Sequence, residues 1–130
     1  PPGGAPPYPV DRAWEGGKLV LDPRPLITAL VEGNERGTPV EQLAASFHEG
    51  LARGTVEVAV ELARANSLPT VALSGGVFQN GRFSDLVSQG LVAHGLEVLV
   101  HRTVPPNDGG ISLGQAAIAS VSQHPPQMSD

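Results

Sequence analysis

Thr70-Val71-Ala72-Leu73-Ser74-Gly75-Gly76-Val77-Phe78-Gln79-Asn80 runs from a short apolar strand straight into paired glycines and then a carboxamide. Four apolar or β-branched residues bounded by Pro69 and the glycines read as a buried strand. Phe83, Leu86, Val87, Leu91 and His94 then recur at helical spacing up to Gly95, so a helix follows the loop. A second strand is expected over 96–101. Pro105-Pro106 stops it, Asn107-Asp108-Gly109-Gly110 turns the chain, and Ile111, Leu113, Ala117, Ile118 and Val121 mark a closing helix. Strands separated by helices of this length imply right-handed crossovers and a mainly parallel sheet flanked by helices, an α/β class.

Upstream, a long helix is expected over 39–66. Thr38 stands where an N-cap belongs, Pro39 suits the first helical position, and Val40, Leu43, Phe47, Leu51, Thr55, Val58 and Leu62 form one apolar stripe. Ala44, Ala45, Ala59 and Ala63 widen that stripe, so cover on more than one side is expected. Gly54 lies mid-helix and costs about 1 kcal/mol relative to Ala unless a neighbour packs closely there. An earlier helix runs through Leu26, Ile27, Leu30 and Val31 to Gly33 or Gly37, with Asp22 placed to accept its first free amides. Residues 18–22 (KLVLD) read as an opening strand after Gly16-Gly17, with Trp14 just upstream.

The ends differ in character. Residues 1–9 hold five prolines and two glycines, and the chain is expected to be an extended arm over 1–13. The folded unit is expected over 14–122, and 123–130 reads as a frayed tail. At 130 residues there is room for one core. Pro1 in place of Met reads as the start of a cut-down piece of something longer.

Composition removes several classes. Zero cysteines exclude a disulfide scaffold, an iron–sulfur cluster, a thiolate zinc finger and a cysteine nucleophile. Eight Lys and Arg against 13 Asp and Glu give a net charge of −5, which argues against a nucleic-acid partner. No apolar run approaches the roughly 20 residues of a membrane span, and no signal stretch is present. No membrane partner and a cytoplasmic location are expected.

Two loops leave strand ends and enter helices, where free amides collect and ligands bind in open α/β sheets. In 74–80, paired glycines allow close approach of backbone to ligand, and Asn80 offers both donor and acceptor. The same loop also reads as a tight turn with a capping Asn. Asp108 is a hard oxygen donor beside two glycines, suited to a metal or a Mg-nucleotide, or else the cap of the closing helix. Neither G-x-x-x-x-G-K-[ST] nor G-x-G-x-x-G occurs.

The histidines are His48, His94, His101 and His124. No two of them form an i, i+4 metal pair. His94 suits the end of its helix, and His48 reads as a half-buried core residue or a polar group facing the cleft. Ser74 lacks a hydrolase elbow, and no histidine is near it in sequence. Glu57 and Glu61 read as a solvated helix face rather than paired catalytic carboxylates.

The stretch from Val71 to Asn80, followed by Val104-Pro105-Pro106-Asn107-Asp108-Gly109-Gly110-Ile111-Ser112-Leu113-Gly114-Gln115-Ala116, resembles the C-terminal part of the HypF family, the carbamoyltransferases of [NiFe]-hydrogenase maturation. Tyr8-Pro9, Trp14, Leu21-Asp22-Pro23-Arg24-Pro25-Leu26 and Phe47-His48 resemble it too, so the likeness spans Tyr8 to Val121. It implies the second lobe of an actin-like ATPase (ASKHA) fold, related to the tRNA threonylcarbamoyl-transfer enzymes.

The implied chemistry is formation of carbamoyl-adenylate from ATP and carbamoyl phosphate. The carbamoyl group then passes to the C-terminal cysteine of a HypE-like acceptor, where dehydration yields the thiocyanate precursor of the iron cyanide ligands. By motif position the resemblance assigns Gly75, Gly76 and Asn80 to the adenylate, with Ser74 beside them. It assigns Asp108 to a divalent metal (Mg, Zn or Fe), with Asn107 and Gly109 supporting. No catalytic residue is assigned. The family's H-x-x-x-H metal pair belongs to the first lobe and is absent here, so the missing first lobe becomes an expected partner. Competing readings are a non-catalytic interaction domain of the same fold, an O-carbamoyltransferase or tRNA threonylcarbamoyl-transferase relative, and a sugar- or acetate-kinase-like lobe. The Pro-Pro-Asn-Asp-Gly-Gly stretch favours HypF among the enzymes.

Overall fold

The computed structural model describes residues 6–122. The tail expected over 123–130 lies outside them. Strands β1 (Asp11–Glu15) and β2 (Lys18–Asp22) come first, then helices α1 (Arg24–Glu35) and α2 (Val40–Ala65). Strand β3 (Thr70–Leu73), helix α3 (Gly81–Ala93), strand β4 (Glu97–Val100) and helix α4 (Ile111–Ser122) complete the chain. Short 3-10 turns at Gly76–Gln79 and Asp108–Gly110 lie within the two loops.

The sheet expectation needs correcting. β3 and β4 pair in parallel, with Leu73 opposite Val100, but β2 does not join them. It pairs antiparallel with β1, Trp14 opposite Leu19 and Glu15 opposite Lys18. Gly16 and Gly17 have φ of 55° and 77°, the two positive values that a type I′ hairpin turn requires. Three residues of the expected arm, Asp11, Arg12 and Ala13, are therefore strand. Ahead of them the Tyr8 N–H donates to the Ser46 carbonyl at 3.1 Å, so this stretch is laid down along α2.

Helix α2 is the centre of the fold, and its buried line is not the expected one. Val40 and Leu62 are exposed, while Leu43, Ser46, Gly50, Ala52, Gly54, Val56, Val60 and Ala63 are buried. Small residues prevail because two neighbours press close. A Cβ on Gly50 would overlap the backbone of Tyr8, and one on Gly54 would sit 3.1 Å from Val10. The close neighbour that offsets the glycine penalty at position 54 is thus the chain leading into β1. On the other side Ala52, Val56 and Val60 pack with Leu73, Phe83, Val87 and Leu91 into the core cluster. Among the described residues no helix is long and apolar enough to cross a membrane.

Glu57 and Glu61, expected on a solvated face, instead anchor the hairpin. Arg12 is ion-paired to both, Arg53 also holds Glu57, and the Trp14 indole N–H donates to Glu61 at 3.1 Å. Hydrogen bonding from Arg53, then the charge of Arg12, keeps the Glu57 carboxyl below its ordinary value against a partial burial that pushes it up.

Capping differs in detail too. Thr38 does not cap α2: Pro39 takes that position without a side-chain bond, and the Thr38 N–H turns back to Gly33. Asp22 does receive the Arg24 amide at 3.0 Å, and its two oxygens also take the Arg24 guanidinium. That hydrogen bonding brings the Asp22 pKa down from 3.8 to about 2. A carboxyl lowered on folding stabilises the fold above its unfolded pKa, near 4, and loses that contribution as pH falls towards 2. NMR titration of the Asp22 carboxyl is expected to show this low midpoint, and Arg24→Ala to return it to the ordinary aspartate range.

Candidate functional site: two loops at one end of the parallel sheet

β3 and β4 are neighbours running the same way, so the loops that leave Leu73 and Val100 start side by side. They are also bonded to each other. The Gly75 N–H donates to the Pro106 carbonyl at 2.7 Å, and Nε2 of His101 lies 2.9 Å from Oγ of Ser74. Gly75 has φ 107° and ψ 155°, a backbone region essentially reserved for glycine. Nothing lies within 4 Å of where a Cβ would stand on Gly75 or Gly76, so both glycines face open space.

Asn80 is the N-cap of α3: its Oδ1 accepts the Phe83 N–H at 3.0 Å. Its Nδ2 meets Nε2 of His48 at 3.1 Å, and Nδ1 of that ring lies 2.8 Å from the Ala44 carbonyl. His48 therefore stands half-buried at the loop, bonded to a residue 32 positions away. His94 bonds the Gly90 carbonyl at the end of α3, as its position in the last turn implied.

The second loop separates two roles that the sequence left joined at Asp108. Asn107, not Asp108, caps the 3-10 turn that leads into α4: its Oδ1 accepts the Gly109 N–H at 3.0 Å. The Asp108 side chain is exposed and takes no hydrogen bond or ion pair from the described residues. A Cβ on Gly110 would lie 2.9 Å from the Pro105 carbonyl oxygen, so the backbone folds tightly on itself here. The result is one carboxylate held out on a pinned turn.

The structure thus brings Ser74, Gly75, Asn107 and Gly109 into two bonded loops, with Gly76, Asn80 and Asp108 on the same pair. Sequence reasoning missed His101, since the bond to Ser74 spans 27 residues and no local pattern announces it. As to metal binding, no group of three His, Asp or Glu side chains gathers anywhere among the described residues. Asp108 offers one carboxylate oxygen donor here, and the described residues bring no companion His, Asp or Glu pair to it.

Similar segments occur in known proteins. A family model described as "Carbamoyltransferase, Kae1-like Domain, second subdomain" matches residues 4–115. A carbamoyltransferase HypF homolog of Cupriavidus necator is 42% identical over 104 residues, 78% of this chain and 26% of that protein. A tRNA N6-adenosine threonylcarbamoyltransferase of Trichodesmium erythraeum is 39% identical over 71 residues, covering 52% of this chain and 22% of the relative. Among solved structures, a full-length HypF in the phosphate- and nucleotide-bound form superposes with a TM-score of 0.87 at 31% identity. That likeness covers 96% of this chain but 16% of the HypF chain, so the residues here span a minor part of the proteins they match. With one family model running through both loops and nearly all of the fold, the chain belongs to the HypF carbamoyltransferase family.

Proposed function

We propose that the two bonded loops are the nucleotide side of a carbamoyltransferase site. In this reading ATP and carbamoyl phosphate give carbamoyl-adenylate, and the carbamoyl group then goes to the C-terminal cysteine of a HypE-like acceptor for cyanide-ligand synthesis. The observation that carries it is the Gly75 N–H bond to the Pro106 carbonyl, which holds the glycine loop and the Asp108 turn together at one end of the parallel sheet. Helix starts and strand ends converge there, where a polyphosphate meets free amides. The likeness to a nucleotide-bound HypF supports the same assignment.

Ser74, Gly75, Gly76 and Asn80 are assigned to the nucleotide, with Asn107 and Gly109 shaping the second loop. Asp108 supplies one ligand to a divalent cation, whose charge would offset that of the phosphates. The remaining ligands come from outside this chain, from the first lobe of an actin-like ATPase fold of which this is the second lobe. A cytoplasmic location, where ATP is at hand, belongs to the same proposal. The HypF reading is preferred to the tRNA-modifying one because the carbamoyltransferase family model matches residues 4–115 and the full-length HypF superposes over 96% of the chain with a TM-score of 0.87.

Two measurements test the reading. In a Mg-ATP titration followed by NMR, shifts are expected at Gly75–Asn80 and at Asp108, with weak binding because half a cleft supplies half the contacts. Carbamoyl-phosphate-dependent ATP–pyrophosphate exchange is expected to be absent from these 130 residues alone. Mg-ATP shifts elsewhere, or none with tight binding to a HypE-like protein, would favour a non-catalytic docking role.

A further inference from the structure

The carboxamide of Asn80 is fixed at both of its heavy atoms. Its Oδ1 accepts the Phe83 N–H at 3.0 Å, and its Nδ2 faces Nε2 of His48 at 3.1 Å. The other ring nitrogen of His48 lies 2.8 Å from the Ala44 carbonyl, and a carbonyl oxygen only accepts. Nδ1 therefore carries the proton, and in the neutral ring Nε2 is left as the acceptor. Exchanging the oxygen and nitrogen of Asn80 would set donor against donor at Phe83 and lone pair against lone pair at His48. Both contacts select one orientation.

The chain of bonds runs from Ala44 through His48 and Asn80 to Phe83, joining α2 to the start of α3. It leaves Asn80 one N–H and one oxygen lone pair free for a ligand. Phe47 stands edge-on to the imidazole, with ring centroids 5.8 Å apart at 82°, and limits its rotation. The same two helices are also tied by Arg82 to Glu49 at 3.1 Å and by the core cluster. Their packing thus has supports other than His48.

We propose that His48 is a positioning residue for the nucleotide loop. It takes one N–H of Asn80 and so aims the remaining N–H and lone pair at the bound nucleotide. The assignment rests on the nucleotide reading of this loop.

The test compares His48→Ala, His48→Phe and His48→Gln with Asn80→Ala. In the unmodified chain, amide exchange by NMR is expected to show one Asn80 Nδ2 proton protected and the other free. His48→Ala, and His48→Phe, which keeps a ring but no acceptor, are expected to equalise the two while the Phe83 amide stays protected. Mg-ATP affinity falls about 3- to 10-fold in both, the worth of one hydrogen bond. His48→Gln offers an amide oxygen to Asn80 and is expected to bind within about 2-fold of the unmodified chain.

Equal exchange of the two Asn80 protons in the unmodified chain overturns the proposal. So does affinity that drops in Asn80→Ala but not in His48→Ala or His48→Phe. Failure of Mg-ATP to shift Gly75–Asn80 at all removes the nucleotide reading, and this assignment with it, which distinguishes that failure from the other two.

Discussion

Asp108→Asn is expected to lower carbamoyl-phosphate-dependent ATP–pyrophosphate exchange by at least about 10²-fold in the full-length carbamoyltransferase, the usual cost of removing one group that balances charge in a reacting centre. Asparagine keeps the size and one oxygen of the side chain and removes only the charge. The turn should survive the change, because Asn107 rather than Asp108 accepts the Gly109 N–H. The Asp108 side chain makes no described contact whose loss would destabilise the fold, so thermal unfolding is expected to move by no more than about 0.5 kcal/mol. The counterpart is Asn107→Ala, which leaves the charge and releases the Gly109 amide, at a cost of about 1 kcal/mol in the loop. The pattern expected is therefore an inactive stable protein against a partly active, loosened one. If Asp108→Asn kept more than about a third of the exchange rate, far short of that loss, the carboxylate would have no part in holding the cation.

How far the sequence displayed this arrangement depends on distance along the chain. β3 was readable as Thr70–Leu73 because four apolar residues stand between proline and glycine, and α2 because its periodicity persists over 26 residues. Which face of α2 is buried was not readable. Periodicity ranks large side chains as core, whereas this helix buries Gly50 against the Tyr8 backbone and Gly54 against the Val10 side chain. β1 was hidden by its composition: Asp11, Arg12 and Glu15 gain their place from an antiparallel partner and from Glu57 and Glu61 on α2. The clue available was Gly16-Gly17, a two-residue loop of hairpin type.

The site divides in the same way. The two loops and their glycines announced themselves locally, and so did the capping role of Asn80. The contacts that make them one site did not. Ser74 with His101, Gly75 with Pro106 and Asn80 with His48 join residues 27 to 32 positions apart, and only the parallel pairing of β3 with β4 and the packing of α3 on α2 bring them together. Asp108 illustrates the remaining ambiguity: capping and metal binding ask for the same side chain, and the neighbouring Asn107 had to be seen in the capping position before the two could be told apart.

Leu91→Ala is expected to be the most destabilising apolar truncation in the molecule, at about 3–4 kcal/mol. Leu91 is 0% exposed and lies in α3 against the buried line of α2, together with Val87 and Phe83. The parallel sheet has only two strands and α4 leaves Ile111, Leu113, Ile118 and Val121 exposed, so the α2–α3 contact carries much of the core. Loss of the isobutyl group removes its transfer free energy and leaves a void, and the void is the decisive part. The helices are already at contact distance next to it, since a Cβ on Gly90 would stand 2.7 Å from the Val56 side chain. They cannot close further to fill the space, which keeps the cost above the lower end of the range for buried leucines. For a chain of this size the melting temperature should fall by about 10–15 °C. Val92→Ala, one residue on and 61% exposed, should stay within about 0.5 kcal/mol. Because α3 begins directly after Asn80, loosening it is also expected to release the glycine loop before the hairpin melts. Hydrogen exchange at Phe83 and Val87 should accelerate more than at Trp14 and Leu19; a loss below about 1 kcal/mol would mean that α2 and α3 move together after all, and that the close approach at Gly90 does not set their spacing.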